Sequence, residues 1–209
     1  MKDIEELKNS YGQIEDANKR FLFLLDNKDD IFKIDENANE KNFNIKAKLL
    51  TELSFEYSNK SRYSEANNVF RIVVDLYETH YKENINEVPY YENLLWNYAR
   101  SLYELKKYKK AEKELKKLHG LFPQNESYKD WYVGTIRKRT WNVTQYFAGY
   151  IILFIVINHT IKDQLDYWGY MGIYVLAGIS LATSLTLETI GYIKRLRIKS
   201  QAITNRYKA

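Results

Sequence analysis

Few residues in this chain have the types and spacing that catalysis or metal binding requires. The three histidines, His80, His119 and His159, are far apart, and none has a second histidine at helical spacing. The sequence contains no cysteine, which excludes disulfides and thiolate metal sites. Neither a phosphate-binding glycine loop nor a serine nucleophile elbow is present. We therefore expect a protein without catalytic activity, bound metal or cofactor.

One polar stripe does suggest a function. Ser180, Ser184 and Glu188 follow one another at intervals of four, which places them on one face of a helix inside an apolar segment. An ionisable residue within a membrane span is a functional candidate. Such a face could line a pore. In the alternative interpretation, Glu188 lies at the membrane interface near Lys194 and Arg195, and the serines serve helix packing.

Two long apolar segments, residues 141–161 and 167–193, would position this stripe. The first contains no Asp, Glu, Lys or Arg, and the second contains only Glu188. A helix of about 20 apolar residues spans the hydrocarbon core of a bilayer, which is about 30 Å thick. The short connection 162–166 therefore predicts a transmembrane hairpin. The alternative is a pair of buried core helices, although these are usually shorter and have a polar face.

The charge distribution orients this hairpin. Residues 1–130 contain 22 basic and 24 acidic residues, whereas residues 131–209 contain 10 and 3, so the net charge of +5 originates at the apolar end. This distribution argues against nucleic-acid binding, which would place the charge on the soluble fold. The positive-inside rule predicts that both termini are cytoplasmic, and we expect an integral protein of the bacterial inner membrane. The predicted membrane-interface residues are Arg137, Lys138, Arg139, Trp141, Trp168, Lys194, Arg195 and Arg197.

Residues 47–125 contain two sets of apolar and small residues with identical spacing, 45 positions apart. The sets are Leu50, Leu53, Ser54, Tyr57, Ala66 and Phe70, and Leu95, Tyr98, Ala99, Leu102, Ala111 and Leu115. This pattern, followed by Pro123, resembles the tetratricopeptide repeat family. Ser54 and Ala99 replace the family's glycine, and the offset exceeds the usual period of about 34 residues. We expect the additional residues near 80–91 to lengthen the second helix of the first repeat and the loop after it.

The resemblance implies that the first helix of each repeat lines a concave groove that binds a protein partner. The predicted groove residues are Phe55, Asn59, Trp96, Arg100 and Tyr103. Aromatic residues combined with an arginine are typical anchors of peptide binding. The alternative is that residues 2–44 of the same chain cover these aromatic side chains. A lysine-rich run over 106–117 predicts either contact with anionic lipid or an acidic partner, or a solvated helix face.

The sequence therefore predicts an all-α protein with a short repeat domain and a two-helix transmembrane hairpin. Residues 2–25 are expected to form one helix, followed by a polar loop over 26–44 that could contain a short helical turn at Ile31–Ile34. The predicted domains are an N-terminal capping segment (1–45), a repeat domain with a partial third repeat (46–140), the hairpin (141–193) and a basic cytoplasmic tail (194–209). The leading hypothesis is a membrane-anchored scaffold that binds a protein partner and can also associate with further copies of itself. The second hypothesis is an oligomeric pore or membrane-disrupting effector whose repeat domain senses a trigger.

Overall fold

A computed structural model describes residues 4–161 and 167–206 of the chain. Within these residues the protein consists of helices joined by short connections and contains no strand. The chain divides into two compact units, Met1–Gln124 and Asn125–Ala209. The predicted all-α class, with two long apolar helices at the C-terminal end, is confirmed.

The first unit begins with three short helices, α1 (Ile4–Gly12), α2 (Ala17–Asp26) and α3 (Lys28–Lys33). The prediction of a single helix over 2–25 is wrong, because the chain leaves the helical path between α1 and α2. Glycine at the end of α1 is a poor helix former. The Asp16 side chain then accepts a hydrogen bond of 2.8 Å from the backbone N–H of Lys19 and caps α2 as a new helix.

The predicted polar loop over 26–44 is also shorter than expected, because it contains α3 and the start of the next helix. Helix α4 (Glu40–Asn59) begins where the Asn39 side chain accepts a 2.9 Å hydrogen bond from the backbone N–H of Asn42. All three N-terminal helices pack against α4. At this contact the rings of Phe21 and Tyr57 meet edge to face, with 5.6 Å between their centres.

Helix α4 is the first of four helices that pack in sequence. It pairs with α5 (Tyr63–Tyr81), and α6 (Tyr91–Glu104) pairs with α7 (Tyr108–Leu121). In addition, α5 packs on α6, and α4 contacts α6. Helix α5 has 19 residues and α7 has 14, and a 3-10 helix, Lys82–Glu87, follows α5. The additional residues of the first repeat therefore lie where the sequence predicted them.

Small residues let these helices approach closely. Ser54, Ala66, Ala99 and Ala111, which the repeat pattern placed where helices cross, are completely buried. The buried hydroxyl of Ser54 donates a hydrogen bond of 2.7 Å to the backbone carbonyl of Thr51, so it leaves no unpaired donor in the core.

The α4–α5 and α6–α7 turns have the same backbone geometry. Ser61 adopts a left-handed conformation with φ 57°, its N–H donates to the carbonyl of Ser58 at 2.9 Å, and the N–H of Arg62 donates to the carbonyl of Tyr57 at 2.9 Å. The second turn repeats both hydrogen bonds 45 residues later around Lys106, which also has φ 57°. Both are Schellman motifs, in which a left-handed residue ends the helix. The internal repeat therefore extends from the sequence to the turn geometry.

The second unit is a hairpin of two long helices, α8 (Glu126–Ile161, 36 residues) and α9 (Tyr167–Arg206, 40 residues). At 1.5 Å per residue they are about 54 and 60 Å long, about twice the thickness of a hydrocarbon core. Helix α8 runs without a break from Glu126 into the apolar segment. Residues 126–140 and 194–206 therefore belong to the same two helices as the apolar segments.

Two contacts set the register of this hairpin. Gly191 lies so close to Thr140 that an added β-carbon would be 2.6 Å from the Thr140 Cγ2 atom. Nearer the connecting residues, the rings of Phe154 and Tyr174 meet edge to face, with 5.1 Å between their centres. The two helices are therefore antiparallel: between these contacts the chain advances 14 residues on α8 and goes back 17 residues on α9.

Candidate functional site

The five predicted groove residues lie on the two neighbouring helices α4 and α6. Phe55 and Asn59 are one helical turn apart on α4. Trp96, Arg100 and Tyr103 follow one another on α6 at intervals of four and three. Each group therefore forms a stripe along one side of its helix, and we refer to these five residues together as the α4/α6 face.

The aromatic residues of the α4/α6 face are half-buried, and its two polar residues are exposed. The Phe55 ring packs against the core residue Phe70, with 5.8 Å between ring centres, and Tyr103 packs against Tyr108 at 5.2 Å. Burial raises the pKa of Tyr103, so its phenol is neutral at physiological pH. The core thus holds the aromatic rings in position while part of each remains accessible, which lowers the entropic cost of binding.

Helix α2 packs on a different side of α4. Phe21 of α2 contacts Tyr57, and the Lys60 amino group lies 5.1 Å from the centre of the Phe21 ring. Lys60 also donates a hydrogen bond of 3.1 Å to the Asn18 side chain. Tyr57 and Phe55 are two residues apart, which separates them by about 200° around the helix. The contact with α2 therefore lies away from Phe55.

The lysine-rich run forms an almost purely basic surface on and just before α7. Its two glutamates, Glu112 and Glu114, are 6% and 8% exposed and lie within the fold. Lys117 forms an ion pair with Glu78 and lies 3.4 Å from a carboxylate oxygen of Glu114. The exposed lysines are Lys106, Lys107, Lys109, Lys110, Lys113 and Lys116. The glutamates of the run therefore reduce the positive charge of this surface less than the sequence suggests.

The predicted polar stripe of α9 lies partly within the contact with α8 and partly outside it. Most shielded positions of α9 recur at alternating intervals of four and three: Ile173, Ala177, Ser180, Ser184, Leu187, Gly191, Lys194 and Ile198. Gly169, Thr183 and Arg195 are partly shielded outside this pattern. This period of 3.5 residues is typical of two helices that supercoil around each other. Ser180 and Ser184 belong to this seam, whereas Glu188 follows the seam residue Leu187 and is exposed.

Helix α8 contributes larger residues to the seam. Its shielded positions include Ile136, Thr140, Val143, Phe147, Ile151, Phe154 and Ile157. Phe147 is seven residues after Thr140, and Ser184 is seven residues before Gly191, so the contact between Thr140 and Gly191 places Phe147 close to the level of Ser184. Small residues on one helix opposite large residues on the other allow close packing without a hydrophobic driving force. The geometry thus places both serines at the contact between the helices.

The outer surface of the hairpin is apolar. Large side chains that are 43–75% exposed cover it: Tyr146, Tyr150, Ile152, Leu153, Ile155, Val156, Met171, Tyr174, Val175, Leu176, Ile179, Leu181, Leu185 and Ile190. Three threonines on α9, Thr183, Thr186 and Thr189, each donate a 2.8 Å hydrogen bond to the carbonyl four residues earlier. Their hydroxyls are therefore satisfied within the helix. Both helices are long and apolar enough to span a membrane.

The predicted membrane-interface residues lie where the apolar surface ends. Trp141 is 52% exposed. The basic residues Arg137, Lys138 and Arg197 are exposed, and Arg139, Lys194 and Arg195 are half-exposed. The side chain of Trp168 lies outside the described part of the structure. Within the hairpin, the Lys194 amino group lies 6.0 Å from the centre of the Tyr132 ring.

Among the described residues, no group of histidine, aspartate and glutamate side chains could hold a metal ion. Comparison with known proteins adds no assignment: no family model matches the chain, and neither a curated protein nor a solved structure is detectably similar to it. The resemblance to tetratricopeptide repeats therefore rests on the residues of this chain alone.

Proposed function

We propose that this protein is a non-enzymatic membrane scaffold, in which the α8–α9 hairpin crosses a bilayer and the first unit binds a protein partner. The observation that carries this proposal is the apolar outer surface of the hairpin. Apolar patches larger than a few hundred Å² are rare on monomeric proteins in water. A hydrocarbon environment accommodates the exposed leucines, isoleucines and valines without the free-energy cost of exposing them to water.

The dimensions of the hairpin support membrane insertion. The apolar segment 141–161 is about 32 Å long as a helix, and 167–193 is about 40 Å long, against a hydrocarbon core of about 30 Å. The hydrogen bonds from threonine hydroxyls to helix carbonyls leave these groups satisfied in lipid. Basic residues lie at the open end of the hairpin, so the positive-inside rule favours cytoplasmic termini. The membrane that we propose is the bacterial inner membrane.

The α4/α6 face supports the partner-binding part of the proposal. It combines half-buried aromatic rings with the exposed Arg100, a composition that is enriched in the energetically dominant residues of protein interfaces. A matching partner would present an apolar anchor residue beside a carboxylate. The exposed Arg100 would pair with this carboxylate, and the aromatic rings would cover the anchor.

Membrane insertion can be tested by alkaline carbonate extraction of membranes from cells that express the full chain. A protein that spans the bilayer stays in the pellet, whereas a peripheral protein is released. Protease treatment of intact spheroplasts then reports the orientation, because cytoplasmic termini are protected. Release of the full chain by carbonate would refute the anchoring role.

Partner binding can be tested by purifying the full chain in mild detergent and identifying components that are present in stoichiometric amounts. Trp96→Ala and Arg100→Ala should each reduce recovery of the partner, by about tenfold or more if they are interface anchors. The matched controls are Tyr90→Ala, which removes a 77% exposed aromatic ring outside the face, and Arg71→Ala, which removes an exposed arginine of α5.

Three results would contradict this part of the proposal. Equal recovery of the partner with face and control variants would place the binding surface elsewhere. Absence of both a stoichiometric partner and self-association would refute the scaffold. A ring of copies without a partner that makes liposomes leak ions would support the pore instead.

A further inference from the structure

The polar end of the α8–α9 hairpin, formed by the first residues of α8 and the last residues of α9, contains a groove that an anchoring role does not require. It has a volume of about 320 Å³, at the lower end of the range for ligand sites. Arg137 of α8 and Arg195 of α9 line it, and Val133, Gly134 and Leu196 form its apolar part. The sequence placed both arginines among the membrane-interface residues. Only the antiparallel register shows that they share one groove.

The groove is already open and one of its arginines is held in place. A β-carbon added to Gly134 would meet no atom within 4 Å, so this position leaves space between the helices. The Arg195 Nε atom donates a hydrogen bond of 3.1 Å to the carbonyl of Gly191. The guanidinium carbon of Arg195 lies 6.0 Å from the centre of the Tyr192 ring, which also lines the groove. These contacts reduce the conformational entropy that a ligand must overcome.

The depth of the two arginines matches the phosphate layer of a bilayer. The Thr140–Gly191 contact lies at the end of the apolar segments. Arg137 is three residues from Thr140, or about 4.5 Å along the axis, and Arg195 is four residues from Gly191, or about 6 Å. The headgroup region beyond the hydrocarbon core is about 5–8 Å thick on each side. Both guanidinium groups therefore belong to the headgroup region of an inserted hairpin.

We propose that this groove binds the phosphate of one anionic phospholipid, such as phosphatidylglycerol. The inference rests on the proposed function, because it requires the hairpin to cross a bilayer. Arginine binds phosphate oxygens in a bidentate manner, and basic pockets between membrane helices bind anionic headgroups. Asp130, the acidic residue of the lining, lies about 10 Å from Arg137 along the helix axis, on the aqueous side of the phosphate layer. The acyl chains would follow the apolar outer surface.

The experiment measures lipid retention by native mass spectrometry of the full chain, released from nanodiscs of phosphatidylglycerol or phosphatidylcholine. The wild type should retain phosphatidylglycerol in preference to phosphatidylcholine. Arg137→Gln and Arg195→Gln should each weaken retention about tenfold, which corresponds to about 1.4 kcal/mol, and Gly134→Leu should do the same by filling the groove. The matched controls Lys138→Gln and Arg197→Gln remove neighbouring exposed charges outside the groove, and they should change retention by less than about twofold.

Other outcomes separate this inference from the proposed function. Equal loss in groove and control variants, or equal retention of phosphatidylcholine, would overturn the lipid site. Inorganic phosphate that displaces the lipid at low concentration would assign the groove to free phosphate and also overturn it. Carbonate extraction of the same membranes tests insertion independently. A wild type that resists extraction but shows no preference for phosphatidylglycerol refutes only the lipid site, whereas a wild type that is released refutes the anchor.

Discussion

The close approach of Gly191 to Thr140 makes a prediction about the stability of the hairpin. In Gly191→Ala the new methyl group would lie 2.6 Å from the Thr140 Cγ2 atom. Thr140 cannot easily turn away, because its hydroxyl donates to the backbone carbonyls of Ile136 and Arg137 at 3.1 and 3.0 Å. The methyl group must therefore push the helices apart or force Thr140 out of its conformation.

The expected magnitude follows from two opposing effects. Overpacking by one methyl group costs about 1–3 kcal/mol, whereas replacing glycine by alanine inside a helix gains about 1 kcal/mol. Gly191→Ala should therefore destabilise the hairpin by about 1 kcal/mol. Thr140→Ser removes the Cγ2 atom and keeps the hydroxyl. The remaining Thr140 atoms lie 3.4 Å from the new methyl group. In this background Gly191→Ala should stabilise the hairpin by up to about 1 kcal/mol.

A double-mutant cycle in mixed micelles of mild detergent and SDS can measure this coupling. Because the chain has no cysteine, pyrene labels on Phe154→Cys and Tyr174→Cys would report hairpin opening through loss of excimer fluorescence. The matched control is Gly178→Ala, where an added β-carbon meets no atom within 4 Å, so it should stabilise the hairpin in both backgrounds. If Gly191→Ala has the same sign with threonine and with serine at position 140, the register is wrong.

Two further predictions concern the first unit. Ser61→Gly and Lys106→Gly should each raise the free energy of unfolding by about 0.5–1 kcal/mol, because both residues adopt the left-handed conformation that glycine tolerates best; a lower denaturation midpoint in detergent would contradict this. Burial raises the pKa of Tyr91, with a further contribution from its 2.6 Å hydrogen bond to Glu78, and burial raises the pKa of Tyr98 to about 12. Unfolded tyrosines lose their protons near pH 10 while the folded ones keep theirs, so stability should be constant below about pH 10 and fall above it. Tyr91→Phe should lower the free energy of unfolding by about 1 kcal/mol at neutral pH and should reduce the loss of stability at alkaline pH. Unfolding followed by circular dichroism from about pH 8 to 12 would refute this reasoning if the stability does not change with pH.

The repeat region was predictable because its determinants are local in sequence. Ser54 and Ala99 lie where two helices cross, so these positions require small residues. The number of residues from each of them to the next small position of its set, Ala66 or Ala111, indicated the lengths of the helices. The left-handed turns at Ser61 and Lys106 were not predictable, because neither residue is glycine and no residue type marks the conformation. Only the hydrogen-bond pattern, repeated 45 residues later, identifies them.

The N-terminal segment was predicted less well because one apolar pattern extends across two helices. Leu7, Tyr11 and Phe21 keep helical spacing and are all buried, although the chain breaks between the second and third of them. The boundary between the two helices is set by Gly12, which ends α1, and by the N-cap residue Asp16 of α2. Apolar periodicity shows which residues face the core, whereas capping residues determine whether one helix or two present them.

The polar stripe of α9 illustrates how far a spacing rule can predict a site. Intervals of four drift by about 40° per step around a helix of 3.6 residues per turn, so Ser180, Ser184 and Glu188 share a face only approximately. The hairpin seam follows a period of 3.5, and it therefore includes both serines and passes through Leu187 instead of Glu188. A pore lined by all three residues would require α9 to rotate away from α8 and to give up the contact between Gly191 and Thr140. The packing thus links the two hypotheses to one contact. Under the scaffold proposal, a hairpin that keeps this contact would act as an anchor, with the exposed Glu188 on its outer surface.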